Sequence, residues 1–224
     1  MRKWGNWLYA KRFYVLVCTL LLGFFVPPVE GKTAFNLVYK LVSVTVMLLT
    51  SANFIQRKKK HLRAAWFLFG LLNIVLAIYL SFYPDEPALE RSRDELLLLF
   101  FLVITVSLVQ QIFAIPKVTA DVILGSFCGF LLMGIISFLC FSILESLVPG
   151  SIGYQGHAAP IAPGKIFYFA FTCLTTVGFG DIVAKNLYAQ QLAILTAVVG
   201  QFYIAVVVAI LISRYIRHQP TEVP

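Results

Sequence analysis

The residues with the clearest chemistry form the run TVGFGD, which begins at Thr176 in an otherwise apolar part of the chain. Gly178 and Gly180 can adopt positive φ at little steric cost. If they alternate with Val177 and Phe179, successive carbonyl groups can point toward one side of the chain. A cation that has lost its water can then bind the Thr176 hydroxyl and four carbonyl oxygens, those of Thr176, Val177, Gly178 and Phe179. We therefore predict a cation site made of main-chain oxygens.

The elements before this run must hold it at membrane depth, where irregular backbone is tolerated only if it lines a cavity or is buried in protein. Residues 149–164 are rich in proline and glycine and are predicted to form a loop. Residues 165–176 are apolar, but at about 1.5 Å per residue they reach only about 18 Å, too short to cross a membrane. We predict a re-entrant half-helix, whose negative dipole end favours a cation near the membrane centre.

The composition indicates an all-α integral membrane protein. Of 224 residues, 60% are hydrophobic and only 12% are charged, which leaves too few charges to cover the surface of a soluble domain. Apolar segments of about 20 residues, long enough to cross a hydrocarbon core of about 30 Å, recur along the chain. Six spans are predicted, at residues 9–28, 34–55, 64–83, 95–115, 122–148 and 188–213.

The distribution of basic residues predicts how these spans are oriented. With the N-terminus inside, most of the 18 Lys and Arg residues fall in cytoplasmic segments, as the positive-inside rule requires. We expect a multi-pass protein of the cell membrane with both termini cytoplasmic and with the acid-rich residues 84–95 in an outer loop. The net charge of +8 implies no nucleic-acid partner. One basic run either anchors the topology or binds anionic lipid: Arg57, Lys58, Lys59 and Lys60.

The run that begins at Thr176 resembles the selectivity-filter signature of potassium channels, usually written TVGYGD. The resemblance extends over residues 122–217, which would form an outer helix, a turret, a pore helix, the filter and an inner helix. It implies that K⁺ ions bind in the filter at residues 176–180, with no other cofactor. Because a single strand cannot encircle an ion, it also implies a homotetramer. Six residues would support the filter: Glu145, Tyr168, Phe169, Thr172, Thr175 and Asp181.

The chain departs from the family pattern at two positions. Phe179 replaces the usual tyrosine, whose hydroxyl bonds to pore-helix aromatic residues, here nearest Tyr168 and Phe169. Phenylalanine cannot make this bond, which normally contributes about 1 kcal/mol. We expect the selectivity to survive but the filter to collapse more readily at low potassium. Thr172 stands where some members carry an acid, so inactivation coupled to a carboxylate is not expected. Glu145 braces the pore loop in many six-span members, although an ordinary interfacial carboxylate is the alternative.

The inner helix is where the resemblance implies a gate. Gly200 lies 20 residues beyond Gly180, where the family places a hinge glycine, and close helix packing is the alternative role. A stripe at helical spacing follows Gly200. In four copies it would close the pore by dewetting, or it would simply pack against lipid and protein. The stripe consists of Ile204, Val207, Val208 and Leu211.

The predicted domains are a four-helix transmembrane domain at residues 1–116, a pore domain at 117–217 and a short cytoplasmic tail at 218–224. The first stands where voltage-gated channels carry a sensor, but residues 95–115 contain no Arg or Lys. Each charge moved through 100 mV contributes about 2.3 kcal/mol, so we expect little or no voltage-dependent gating.

Three other classes of protein are alternatives to a potassium channel. An enzyme is not indicated, because no catalytic set of residues falls at one membrane depth. A potassium transporter subunit would repeat the helix–loop–helix unit within one chain. A non-selective cation channel is disfavoured because the glycine frame around Phe179 is intact.

Overall fold

The computed structural model describes residues 12–25, 68–72, 75–76, 79, 87–114, 120–156, 161–210 and 213. These residues are mostly helical, and they divide into two compact units, Met1–Ser107 and Leu108–Pro224. The helices are α1 (Arg12–Phe25), α2 (Pro87–Ala114), α3 (Ala120–Leu147), α4 (Pro163–Leu174) and α5 (Leu187–Tyr203). A π-helix, Ile204–Val208, continues α5. Two short strands, β1 (Ile152–Tyr154) and β2 (Ile182–Ala184), form an antiparallel pair.

Three helices among the described residues are long and apolar enough to cross a membrane, at Ala88–Ala114, Val122–Leu147 and Leu187–Val207. They correspond to the fourth, fifth and sixth predicted spans. The predicted span at 34–55 and the basic run at 57–60 lie outside the described residues, as does most of the span at 64–83. Helix α1 has 14 residues and lies within the predicted first span.

Helix α2 begins earlier than the sequence suggested. Its first residue is Pro87, so most of the predicted outer loop at 84–95 is helical, and that prediction was wrong. Proline is favoured at the first helical position because its fixed φ suits a helix and its missing N–H has no intrahelical acceptor there. Glu90 lies in the first turn, where a carboxylate is stabilised by the positive end of the helix dipole.

The core of the second unit lies where α3, α4 and the two strands meet. Phe141 of α3 and Phe169 of α4 are both buried, with ring centroids 5.0 Å apart in an edge-to-face arrangement. Ile152 and Ile182 extend this cluster from the two strands. In a membrane, such side chains stabilise the contact by van der Waals packing, because lipid is as apolar as the core. The core therefore fixes α4 against the elements that precede and follow it.

Helix α4 is the short helix that the sequence predicted, with 12 residues. It lies two residues earlier than the predicted range 165–176. The helix begins at Pro163 and ends at Leu174, and the N–H of Thr175 still donates to the Phe171 carbonyl at 3.0 Å. The helix cannot continue through Thr176, because that residue has a positive φ.

Candidate functional site

The backbone from Thr176 to Gly180 alternates in handedness. Thr176, Gly178 and Gly180 have φ of +59°, +51° and +80°, whereas Val177 and Phe179 between them do not have positive φ. The two glycines thus take the conformation that the sequence made available to them. A threonine in the left-handed region is unfavourable by about 1–2 kcal/mol. Thr176 must therefore be held there by its surroundings.

The amide groups of this segment point toward α4. The N–H groups of Val177 and Gly178 both donate to the carbonyl oxygen of Thr172, at 3.0 and 3.3 Å, and the N–H of Thr176 donates to Cys173 at 3.0 Å. In a trans peptide the carbonyl points opposite to the N–H of the next residue. The carbonyls of Thr176 and Val177 therefore both point away from α4, on the same side of the chain.

These carbonyl oxygens remain available as ligands. Among the described residues, no hydrogen bond uses the carbonyl oxygens from Thr176 to Gly180. Nor do the described residues include a group of His, Cys, Asp and Glu side chains that could hold a metal ion. A cation bound at this segment would therefore be bound by main-chain oxygens together with the Thr176 hydroxyl, the arrangement that replaces a lost hydration shell.

The threonine hydroxyls of α4 bond to their own helix. The Thr172 hydroxyl donates to the Phe169 carbonyl at 2.9 Å, and the Thr175 hydroxyl donates to the Phe171 carbonyl at 2.7 Å. Thr172 thus contacts the 176–180 segment through its main-chain oxygen, while its side chain bonds to the carbonyl of the preceding helical turn.

At the far end of the segment, Tyr168 joins Phe179 and Asp181. Its ring lies nearly parallel to that of Phe179, with an angle of 7° and centroids 6.1 Å apart. Its hydroxyl donates to Oδ1 of Asp181 at 3.3 Å. A phenol is protonated at neutral pH, so Tyr168 is the donor and the Asp181 carboxylate is the acceptor.

Glu145, at the end of α3, holds the start of the strand pair. Its two carboxylate oxygens accept the N–H groups of Gly150 at 2.7 Å and Ile152 at 2.9 Å. Strand β1 then pairs with β2, and the N–H of Gln155 donates to the carbonyl of Asp181 at 3.1 Å. Glu145 on α3 is thereby connected, through the strand pair, to the end of the 176–181 run.

A second connection, which the sequence did not predict, joins the residue before β1 to the start of α5. The Asn186 side chain accepts the N–H of Ala189 at 2.8 Å, and its amide donates to the Ser151 hydroxyl at 2.6 Å. Ser151 in turn donates to the carbonyl of Val148 at 2.5 Å. Asparagine directly before an apolar helical segment is a recognised N-cap signal. That signal predicts the cap but not the contact with Ser151.

The α5 helix lies close to the end of α4 at Gly200. A β-carbon at this position would lie 2.1 Å from the carbonyl oxygen of Leu174. Gly200 therefore has the packing role that was one of its two predicted roles, and its hinge role stays a prediction.

The next residues along α5 make two contacts that the sequence did not predict. The amide of Gln201 donates to the Thr176 hydroxyl at 2.9 Å. The hydroxyl of Tyr203 donates to the carbonyl of Ser126 at 2.7 Å, and the missing side chain of Gly129 makes room for it. A polar side chain inside an apolar span is the signal for such contacts.

The predicted gate stripe does not follow α-helical spacing. Ile204 and Val207 lie in the π-helix, in which hydrogen bonds run from i to i+5 and each turn takes about one residue more than an α-turn. Ile204 is 42% exposed, whereas Val207 is 9% exposed, so the two residues occupy different faces. Val208 also belongs to the π-helix, and Leu211 lies outside the described residues. The gating role of the stripe stays a prediction.

A comparison with protein families finds a match within the second compact unit. The model of a family described as an ion channel matches residues 129–217, which begin in α3 and include α4, the 176–181 run and α5. No curated protein matches the chain. Residues 129–217 thus match an ion-channel domain, which supports passive conduction of ions across a membrane and points to a channel protein rather than an enzyme.

Proposed function

We propose that the protein is a potassium-selective channel in which residues 176–180 form the selectivity filter. The observation that carries this proposal is the direction of the peptide groups: Val177 and Gly178 donate to the half-helix through one carbonyl, that of Thr172. The opposite sides of those peptide groups present oxygen atoms in succession, without hydrogen-bond partners among the described residues. Such a row of oxygens can replace the water shell of K⁺.

Four copies of the chain surround the pore in this proposal. One strand supplies ligands on only one side of an ion, so a complete shell needs several strands around an axis. Exposure of apolar side chains supports the assembly, because Val177 is 53% exposed and Phe179 is 69% exposed in the single chain. Neighbouring subunits would cover these side chains and exclude water from behind the filter.

Gating in this proposal depends little or not at all on voltage. From Glu95 to the end of α2 the chain carries no basic residue. Arg91 and Arg93 lie near the beginning of the helix, and Arg93 forms an ion pair with Asp94 at 2.8 Å. A span without basic charge inside the membrane gives the membrane potential almost no leverage.

The proposed arrangement in the cell membrane follows the distribution of basic residues, with six spans and both termini cytoplasmic. Residues 1–116 form the four-helix domain, 117–217 the pore domain and 218–224 the tail. The basic run at 57–60 then faces the inner leaflet, where it binds anionic lipid or anchors the topology.

Reversal potentials test the proposal. The purified chain is reconstituted in a planar bilayer with potassium on one side and sodium on the other, and its subunit number is measured by light scattering in detergent. We expect a tetramer with a reversal potential close to the potassium equilibrium potential. Equal permeability to sodium would indicate a non-selective channel, and a flux that requires a coupled ion would indicate a transporter. Either result contradicts the proposal.

A pair of glycine variants ties the selectivity to the filter. Gly178 and Gly156 have φ of +51° and +79°, and both have open space at the β-carbon position within the chain. Alanine therefore meets similar backbone strain at both sites. We expect Gly178→Ala to abolish the potassium current and Gly156→Ala to leave it intact. Equal effects would show that residues 176–180 have no special part in conduction.

A further inference from the structure

One side-chain contact joins the filter directly to the inner helix. The amide nitrogen of Gln201 lies 2.9 Å from the hydroxyl oxygen of Thr176. Gln201 directly follows Gly200, whose close approach to the Leu174 carbonyl brings the two segments together. The contact therefore occurs beside a close approach of the inner helix to the end of α4.

The hydrogen-bond inventory of the Thr176 hydroxyl determines which group of Gln201 must face it. The hydroxyl has one hydrogen and two lone pairs. Its hydrogen is donated to the carbonyl of Thr175 at 2.7 Å, so the hydroxyl can only accept from a further partner. The amide nitrogen of Gln201 is such a donor, and it occupies one lone pair. One lone pair of the Thr176 oxygen then remains for another ligand.

We propose that Gln201 is a positioning residue for ion selection: it orients the Thr176 hydroxyl so that its remaining lone pair faces a cation at one end of the filter. Thr176 has a positive φ of 59°, an unfavourable conformation that persists only when surrounding contacts impose it. Gln201 supplies one of those contacts. In four copies, a ring of glutamine amides holds a ring of threonine hydroxyls. The inference rests on the proposed potassium channel and adds a determinant outside the filter sequence.

The test uses methionine, which is similar in length to glutamine but has no amide. Gln201→Met is compared with Gln190→Met, since Gln190 lies on the same helix with its amide 3.5 Å from the carbonyl of Ala184. Both full-length variants are reconstituted, and the sodium-to-potassium permeability ratio is obtained from reversal potentials. We expect the ratio to rise about fivefold in Gln201→Met, which corresponds to the loss of one neutral hydrogen bond. Gln190→Met should keep the wild-type ratio.

A double-mutant cycle separates positioning from general damage. Thr176→Val removes the hydroxyl. The permeability ratio of this single variant is the value with which the double variant is compared. If Gln201 acts through the hydroxyl, adding Gln201→Met to Thr176→Val changes the ratio no further. Independent effects that add in the double variant would overturn the inference, and so would a Gln201→Met ratio equal to the wild-type ratio.

A second variant and a second measurement keep the inference testable if Gln201→Met does not conduct. Gln201→Asn keeps the amide but is one methylene shorter, so it should not reach the hydroxyl. The potassium concentration that half-maximally stabilises the tetramer against heat in detergent reports ion binding without conduction. We expect that concentration to rise about fivefold in both variants. Unchanged values would refute the role of Gln201. A wild-type protein that admits sodium and potassium equally would instead refute the proposed function itself.

Discussion

Replacement of Gly200 by alanine tests the contact between the inner helix and α4. The added β-carbon would lie 2.1 Å from the Leu174 carbonyl oxygen and 3.0 Å from the Leu174 Cδ1 atom, whereas ordinary contacts begin at 3.4 Å. The helices must therefore separate by about 1.3 Å at this point. The obstructing atom is a main-chain oxygen, which cannot move away by a change of rotamer.

The expected cost follows from two opposing terms. Overpacking in a close-packed contact typically costs about 1–3 kcal/mol, and more where a main-chain atom is the obstacle. The better helix propensity of alanine stabilises the folded state by about 1 kcal/mol. With the overpacking cost at the upper end of its range, because a main-chain atom is the obstacle, we expect a net loss of about 2 kcal/mol per subunit. This loss corresponds to a fall of roughly 5 °C in melting temperature. The displacement should also break the bond from Gln201 to Thr176 and weaken ion selection.

The assay is thermal unfolding of the purified assembly in detergent, followed by size-exclusion chromatography with fluorescence detection. Gly164→Ala is the matched control, since Gly164 lies in α4 and an added β-carbon there would meet nothing within 4 Å. Its melting temperature should stay the same or rise slightly. If Gly200→Ala melts like this control while its open probability falls, Gly200 acts only as a hinge and the packing argument is wrong.

Three further substitutions test other contacts of the pore unit. Glu145→Gln should destabilise the protein by about 1.5–3 kcal/mol, because an amide cannot accept both main-chain N–H groups as the carboxylate does; a melting temperature equal to wild type would contradict this. Tyr203→Phe should cost about 1 kcal/mol through loss of the bond to Ser126, and an unchanged denaturation midpoint would show that this bond contributes nothing. Phe179→Tyr should slow the loss of current when external potassium is removed, and identical time courses would refute the predicted filter weakness.

The 176–180 segment illustrates what local sequence can predict. Glycines at 178 and 180 permit the alternation in φ, and the short apolar segment before them predicts a helix too short to span. Both features depend on residues within about ten positions of one another, so they can be read from a single segment. The positive φ of Thr176 could not be predicted in this way, because threonine disfavours it and only contacts with other segments impose it.

Helices α3 and α2 also show what the sequence predicts and what only the structure adds. An acid at position 145 suggested a brace for the pore loop, and the structure adds the groups it binds, the N–H groups of Gly150 and Ile152. The start of α2 was predicted to be a loop because it is rich in charged residues, but the helix begins at Pro87. Charge density predicts contact with water, but it does not distinguish a solvated helix from a solvated loop.

By itself, the sequence determined the membrane class of the protein, the run at 176–181, the short helix before it and the lack of basic charge at residues 95–115. Each of these follows from composition, from segment length or from the conformational freedom of glycine. Only the tertiary structure decided that Gly200 packs against a carbonyl, that Gln201 bonds to Thr176 and that a π-helix interrupts the predicted gate stripe. The periodicity of a helix indicates which residues share a face, but it contains no information about which atoms of a distant segment lie opposite that face.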